Sequence, residues 1–259
     1  MRIAYCVRIN LNTHLATRNP FFKVRYLMAE EIGLLKRVPL FNSLGGPELI
    51  EVTRRFHEES YEADEFLFFE GDPADKLWIG KTGQIKILKH SESGQEVILL
   101  VITPGELFGA AGTWGEEVYP ASAQAQTACT VLTMHVEDFT DLMRRFPTIA
   151  LAVIAVMKDR LKDAHEMMRR LSAERVERRI AHTLLKLAEK VGKRTAEGID
   201  IDMPLPRQDL ASMTGTTVES VSRVLSKWQH EGLVKTGREH VVIVQPHRLV
   251  VLAEDLSRK

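Results

Sequence analysis

Cysteine is nearly absent: Cys6 and Cys129 are the only two in 259 residues. Two thiols so far apart give no disulfide framework, no CxxC motif and no four-thiolate set for an iron–sulfur cluster. Such usage fits a reducing compartment, and a cytoplasmic location is expected. No apolar run approaches the ~18 residues of a membrane span, so no membrane partner is expected. Net charge is also lacking, with 35 Lys and Arg against 35 Asp and Glu. The barrel-like middle of the chain has no H-x-H or similar metal cluster, and nowhere is there a Ser/His/Asp grouping or a phosphate loop. An enzyme, including a cupin-type metal enzyme, is therefore not expected, and neither catalytic residues nor metal ligands are assigned. Acidic residues are missing from residues 1–27, which hold Arg2, Arg8, Arg18, Lys23 and Arg25. This basic extension reads as an arm or targeting peptide, or as the product of an upstream start codon with Met28 the true beginning; disorder is expected there.

What is present is most specific between Pro206 and His240. Pro206 suits the opening turn of a short helix with Leu210 and Met213 on its apolar side, and Gly215 breaks it. Thr216 is expected as the N-cap of a second helix, with Glu219 three residues on in a capping-box pattern. Val218, Val221, Leu225 and Trp228 recur at helical spacing, which leaves Glu219, Ser222, Arg223 and Ser226 on the other side. Gly232 stops the helix, and LVKTGREHVVIV reads as a β-hairpin turning at Thr236-Gly237-Arg238-Glu239. Helix, glycine turn, capped helix and wing in one run make a winged helix-turn-helix. The polar side of its second helix can enter a major groove, where Arg pairs with guanine and Glu accepts from cytosine N4. Glu219 as a mere capping partner, and Arg223 and Lys227 as a solvated face, are the plainer readings of those residues. The duplex-facing candidates are Glu219, Ser222, Arg223, Thr217, Ser226, Arg207, Gln208 and Lys227. Residues 173–259 carry 15 Lys and Arg against 12 Asp and Glu, a mild basic excess suited to phosphates.

A chain of this length has room for a second domain. From about Phe41 to Val136 the sequence is β-like: FLFF, LWIG, IKILK, VILLVI and TVLTM alternate with glycine-containing breaks, as in a sandwich or barrel. Such a barrel either encloses a small ligand or has a filled core. A long helix follows, from about Val136 or Pro147 to Leu171. Ala150, Ile154, Met157, Leu161, Ala164, Met168 and Leu171 mark a heptad seam, with packing on the chain's own barrel as the alternative to a homodimer contact. Ile154, Met157, Leu161, Ala164, Met168 and Leu171 are the expected interface. A dimer sets two recognition helices about one duplex turn apart on a palindromic operator. A further helix is expected from Ala173 to Val191, and a loop and strand over Gly192–Asp202.

This order of parts, with FFEGDPADKLWIGKTGQIKILK, PGELFG and TTVESVSR, resembles the Crp/Fnr superfamily of bacterial transcription regulators over roughly residues 33–250. The resemblance implies an α+β fold: a β jelly-roll, cyclic-nucleotide-binding-like barrel, a long dimerisation helix and a C-terminal winged helix-turn-helix. It implies an effector in the barrel, moving the long helix to reorient the recognition helices, and RNA polymerase as a partner of a homodimeric activator. Cyclic-AMP-binding members carry a Glu after the PGxxxG glycine and an Arg-Ser pair some ten residues later. Here the run is Phe108-Gly109-Ala110-Ala111-Gly112, then Tyr119-Pro120-Ala121-Ser122, with no basic residue from Gly105 to Ala128. A buried phosphate would lack a counter-charge, so cyclic AMP is not the expected effector. The Fnr-type iron–sulfur cluster is excluded by the cysteine count. Haem stays open as a cofactor, with His57, His90 and His135 as ligand candidates, and Cys129 as a redox thiol. The pocket residues assigned from this resemblance are Gly109, Ala110, Ala111, Tyr119, Pro120 and Ala121. Val218-Glu219-Ser220-Val221-Ser222-Arg223 matches the E-x-x-S-R pattern of the Fnr branch. By resemblance Glu219 and Arg223 read a G·C pair, Ser222 meets a thymine, and the operator is TTGAT/ATCAA-like.

The expected domains are a basic extension at 1–27, a barrel with leading helix at 28–135, a dimerisation helix at 136–172 and the winged helix-turn-helix at 173–259. Two modes of control remain open: sensing of an unidentified effector by the barrel, or a ligand-independent regulator controlled by its abundance. A haem-based gas sensor or a cyclic-nucleotide-responsive regulator are further variants.

Overall fold

Two four-stranded antiparallel sheets form the front half of the molecule. A computed structural model describes residues 30–254 apart from 92, 93, 95, 111–114 and 116, with only the backbone of Arg170 and Ala173. The basic extension at 1–27 and the pocket residue Ala111 therefore lie outside the described residues. The strands are β1 (His57–Tyr61), β2 (Phe66–Phe68), β3 (Lys76–Thr82), β4 (Ile85–His90), β5 (Glu96–Ile102), β6 (Leu107–Phe108), β7 (Ser122–Ala125) and β8 (Cys129–His135). Their orders are β1-β8-β3-β6 and β2-β7-β4-β5. Side chains of both sheets meet in one core that includes Phe68, Trp78, Ile85, Phe108, Ala123 and Val131. Within β3, Leu77 and Ile79 face the other way, into a second core with Leu132, Met134, Phe139 and Ile149. A strand covered on both faces reads as an unbroken apolar run, which is why LWIG stands out in the sequence.

The stretch 41–136 is not wholly β. It contains helix α1 (Gly46–Thr53), where Pro47 opens the first turn and Glu48 returns its carboxylate to the Gly45 amide at 2.7 Å. Two helices follow the barrel, α2 (Val136–Arg145) and α3 (Pro147–Ala173), so of the two expected starts of the long helix the one found is Pro147. Phe146 leaves helical geometry and Pro147 restarts it. The expected helix from Ala173 begins later, as α4 (Val176–Val191), because Arg175 is extended with ψ 151°. Where a loop and one strand are expected there are two strands, β9 (Gly192–Thr195) and β10 (Gly198–Ile201), and β10 pairs with the wing.

The helix-turn-helix comprises α5 (Arg207–Thr214) and α6 (Val218–His230), and the wing β11 (Val234–Thr236) and β12 (Val241–Ile243); α7 (Pro246–Glu254) packs behind α4. Pro206 is the N-cap of α5, and Gly215 ends it at φ 59°, a conformation glycine adopts without strain. The N-cap of α6 is Thr217, not Thr216. Thr216 is still tied to α5, its amide donating to the Ala211 carbonyl at 3.1 Å in the closure that follows a left-handed glycine.

This domain is not detached from its own barrel. Ile98 and Val101 of β5 are buried in the same core as Leu210, Met213 and Trp228. Gln126 Nε2 donates to the Pro204 carbonyl at 2.7 Å and to Asp209 Oδ2 at 3.3 Å, and Lys86 Nζ lies 3.9 Å from that carboxylate.

Candidate nucleic-acid interface

Helix α6 separates its side chains as the periodicity predicts. Val221, Leu225 and Trp228 are buried, each contributing about 1.5–3 kcal/mol relative to exposure, and Val218 packs on the same core. The Trp228 indole donates to Glu177 Oε1 at 3.0 Å, which fixes the end of α6 to the first turn of α4. With that face anchored, Glu219, Arg223 and Ser226 are exposed and Ser222 is half-buried beside them. Thr217 caps the helix, accepting from the Ser220 amide at 3.3 Å, an interaction worth about 1 kcal/mol. Glu219 is held ionised, below the usual carboxylate range, by its own backbone amide and the Thr217 hydroxyl. An ionised Glu at the first turn is an acceptor, the form that pairs with cytosine N4.

The other candidates fall around this face. Gln208 is exposed and Arg207 half-buried in the first turn of α5, the helix that crosses the duplex backbone in such motifs. Lys227 is exposed but paired, its ammonium 3.0 Å from Glu177 Oε1.

On the long helix α3, Leu151, Ile154, Leu161 and Met168 are 57–67% exposed, with Leu171 at 44% and Ala164 also exposed. Ile154, Leu161 and Met168 repeat every seven residues, the spacing of a coiled-coil seam. Leu151 extends the stripe and was missed by the heptad series. Met157 is half-buried and packs against the barrel-side core.

Of the pocket candidates, Tyr119 is packed among aromatic rings inside the barrel. The Tyr119 and Phe68 rings stack at 3.9 Å, and Trp78 lies 5.5 Å from Phe68 and 6.0 Å from Phe108. The Trp78 indole donates to the Tyr119 hydroxyl at 3.0 Å, which donates in turn to the Lys76 carbonyl at 2.8 Å. Gly109 sits at φ 61°, and a Cβ there would come within 2.4 Å of the Trp78 ring, so only glycine fits beside it. Ala110 and Ala121 are buried, whereas Pro120 is exposed. His57, His90 and His135 are all exposed, so none of them is an axial ligand for a haem inside the barrel. Cys129 is buried and its thiol is pushed up to about 11 by that burial. Among the described residues, cations that the run 105–128 does not contain reach it from two helices: Lys190 of α4 pairs with Glu106 at 2.7 Å, and Arg160 of α3 donates to the Leu107 carbonyl, its pKa lowered by burial. No local signal in the sequence links positions 107 and 160.

Comparison with known proteins assigns both halves. The cyclic nucleotide-binding domain family matches residues 58–146, and the Crp-like helix-turn-helix domain family matches residues 178–252. The chain is 32% identical over 223 residues to the Cyclic AMP receptor protein of Thermus thermophilus, covering 86% of this chain and all of that one. It is 30% identical over 189 residues to the Transcriptional activator protein anr of Pseudomonas aeruginosa, covering 73% and 77% of the two chains. The solved structure of FixK2 from Bradyrhizobium japonicum has the same fold, with a TM-score of 0.69 at 24% identity over 76% of this chain and 96% of that one. The fold, the exposed polar side of α6 and these relatives together place the chain in the Crp/Fnr superfamily of transcription regulators, DNA-binding proteins that join a cyclic-nucleotide-binding-like barrel to a helix-turn-helix.

Proposed function

We propose that the protein works as a homodimer on a palindromic, TTGAT/ATCAA-like operator. The observation that carries this is the division of α6: a buried, tryptophan-anchored face opposite exposed Glu219, Arg223 and Ser226. Arg223 and Glu219 read a G·C pair, Ser222 meets a thymine, and Thr217, Ser226, Arg207 and Gln208 contact nearby bases or phosphates. Lys227 joins them by exchanging Glu177 for a phosphate. The apolar stripe of α3 supports pairing with a second copy, since exposed large side chains at heptad spacing are covered by an identical helix in a two-fold dimer. The dimer acts in the cytoplasm with RNA polymerase as its further partner, as an activator in the manner of its relatives' names.

For control we propose an effector sensed by the barrel near Gly109, Ala110, Ala111, Tyr119, Pro120 and Ala121. The second reading, a regulator active without ligand and set by its abundance, is favoured by the aromatic packing of Phe68, Trp78, Phe108 and Tyr119. Cyclic AMP is the ligand in the name of the Thermus thermophilus relative. Here the run from Gly105 to Ala128 has no basic residue, and Arg160 is already engaged with a carbonyl. The test is the native mass and absorbance spectrum of protein from its own host, then binding to a TTGAT-N4-ATCAA duplex with and without any co-purifying molecule. A bound molecule whose removal abolishes binding supports the sensor. An unliganded dimer that binds the duplex tightly supports control by abundance, and no binding in either state rejects the operator.

A further inference from the structure

Two helices end at the same place. The long helix α3 stops at Ala173, followed by Glu174, and α5 stops at Thr214, followed by Gly215. Helix C-termini present carbonyls without intrahelical partners and carry partial negative charge. Between them stands the half-buried side chain of Arg179, one turn into α4. Its Nη1 donates to the Glu174 carbonyl at 2.9 Å, its Nε to the Thr214 carbonyl at 2.9 Å and its Nη2 to the Gly215 carbonyl at 3.1 Å. Three nitrogens of one planar guanidinium thus serve three backbone acceptors, two of them in the turn that launches the recognition helix. A lysine, with a single nitrogen, cannot reproduce that fork.

A second contact joins the same two elements. Leu171, in the last turn of α3, lies so close to Gly215 that a Cβ there would be 3.0 Å from Leu171 Cδ2. Displacement of the α3 end therefore pushes on the turn before α6 directly. Farther along, Trp228 holds the other end of α6 to Glu177 of α4. The recognition helix is gripped at both ends, and the grip nearer the dimer helix is Arg179.

We infer that Arg179 is a positioning residue for DNA recognition: it touches no base, and it fixes the angle between the long helix and the helix-turn-helix, hence the spacing of the two recognition helices. The inference rests on the paired half-site reading above. One base pair inserted between half-sites turns the second by about 35° and moves it by about 3.4 Å. A rigidly held pair of recognition helices loses one half-site, whereas a loosely held pair follows the duplex.

The experiment measures full-length protein on TTGAT-N4-ATCAA, on the same duplex with one base pair added to or removed from the spacer, and on a duplex with the G·C pairs exchanged. Wild type is expected to prefer the matched spacer by about tenfold or more, and Arg179→Met by less than about threefold, while the variant keeps its preference for the correct G·C pair. Arg179→Lys carries the same test if the methionine variant does not fold, judged by thermal unfolding and native mass. Unchanged spacer preference in a folded variant overturns the inference. Parallel loss of spacer and base preference also overturns it, because a general loosening of the domain would do that. Indifference of the wild type to the spacer rejects the paired half-site reading itself and removes the basis for a spacing residue.

Discussion

Replacing Ile154 and Leu161 together by glutamate should separate the dimer and leave each chain folded. Their side chains are 64% and 58% exposed in the single chain, so that surface is what a partner would cover. Full burial of such a side chain is worth about 1.5–3 kcal/mol, and covering the exposed part about 1–2 kcal/mol. Two substitutions in each of two protomers remove about 4–8 kcal/mol, before any cost of burying carboxylates. At 1.4 kcal/mol per decade the dimer dissociation constant rises by about a thousandfold at the least. Met157 is left in place because it packs against the barrel-side core, and its loss would confuse dissociation with unfolding. Light scattering across a dilution series reads the mass, and thermal unfolding checks the barrel. A variant with the dissociation constant of the wild type and an intact fold would refute the seam.

Arg223→Ala should lower specific operator affinity by ~1–3 kcal/mol and relax selectivity at the G·C position, read by titration of matched and exchanged duplexes. Asp209 is raised above the usual carboxylate range by burial, against the pull of Lys86, with Glu96, Asp64 and Glu239 adding to the rise. Its ionised form therefore disfavours the docking of α5 on β5: the docked arrangement is fully stable below the unfolded value of ~3.9 and loses stability as pH rises through the raised value. Hydrogen exchange at Ile98 and Val101 should show that loosening with rising pH, and Asp209→Asn should abolish it; an unchanged slope contradicts the assignment. Cys129 should not react with a thiol reagent near neutral pH in a folded Cys6→Ser variant, and should react once denatured, as a buried thiol at about 11 requires. Rapid modification of the folded protein would return it as a redox candidate.

The helix-turn-helix is legible because its determinants are local. Pro206, Gly215 and the stripe Val218, Val221, Leu225, Trp228 each act within a few residues, and only the choice between two adjacent threonines for the cap needed the Ala211–Thr216 contact. The barrel is legible where strands are apolar. Strands β1 (HEESY) and β7 (SAQA) carry no such signal: β1 is a polar edge strand and β7 is built of small residues. Pairings such as His57 with Thr133 are non-local, so nothing near either residue announces them. The same holds for Arg160 on Leu107, Arg179 on Thr214 and Asp209 beside Lys86, where each side chain's partner lies far along the chain. Met157 shares its heptad position with the exposed Ala164 and Leu171 but meets the barrel, because only the first part of α3, as far as Met157, packs against the barrel-side core.

The decisive measurement is selection of bound duplexes from a random pool by the full-length protein. An inverted repeat whose half-sites resemble TTGAT and lie about one duplex turn apart should be enriched, with Arg223→Ala losing the G·C preference in both. Enrichment of no inverted repeat, or of the same sequence by the variant, would contradict the proposed operator reading.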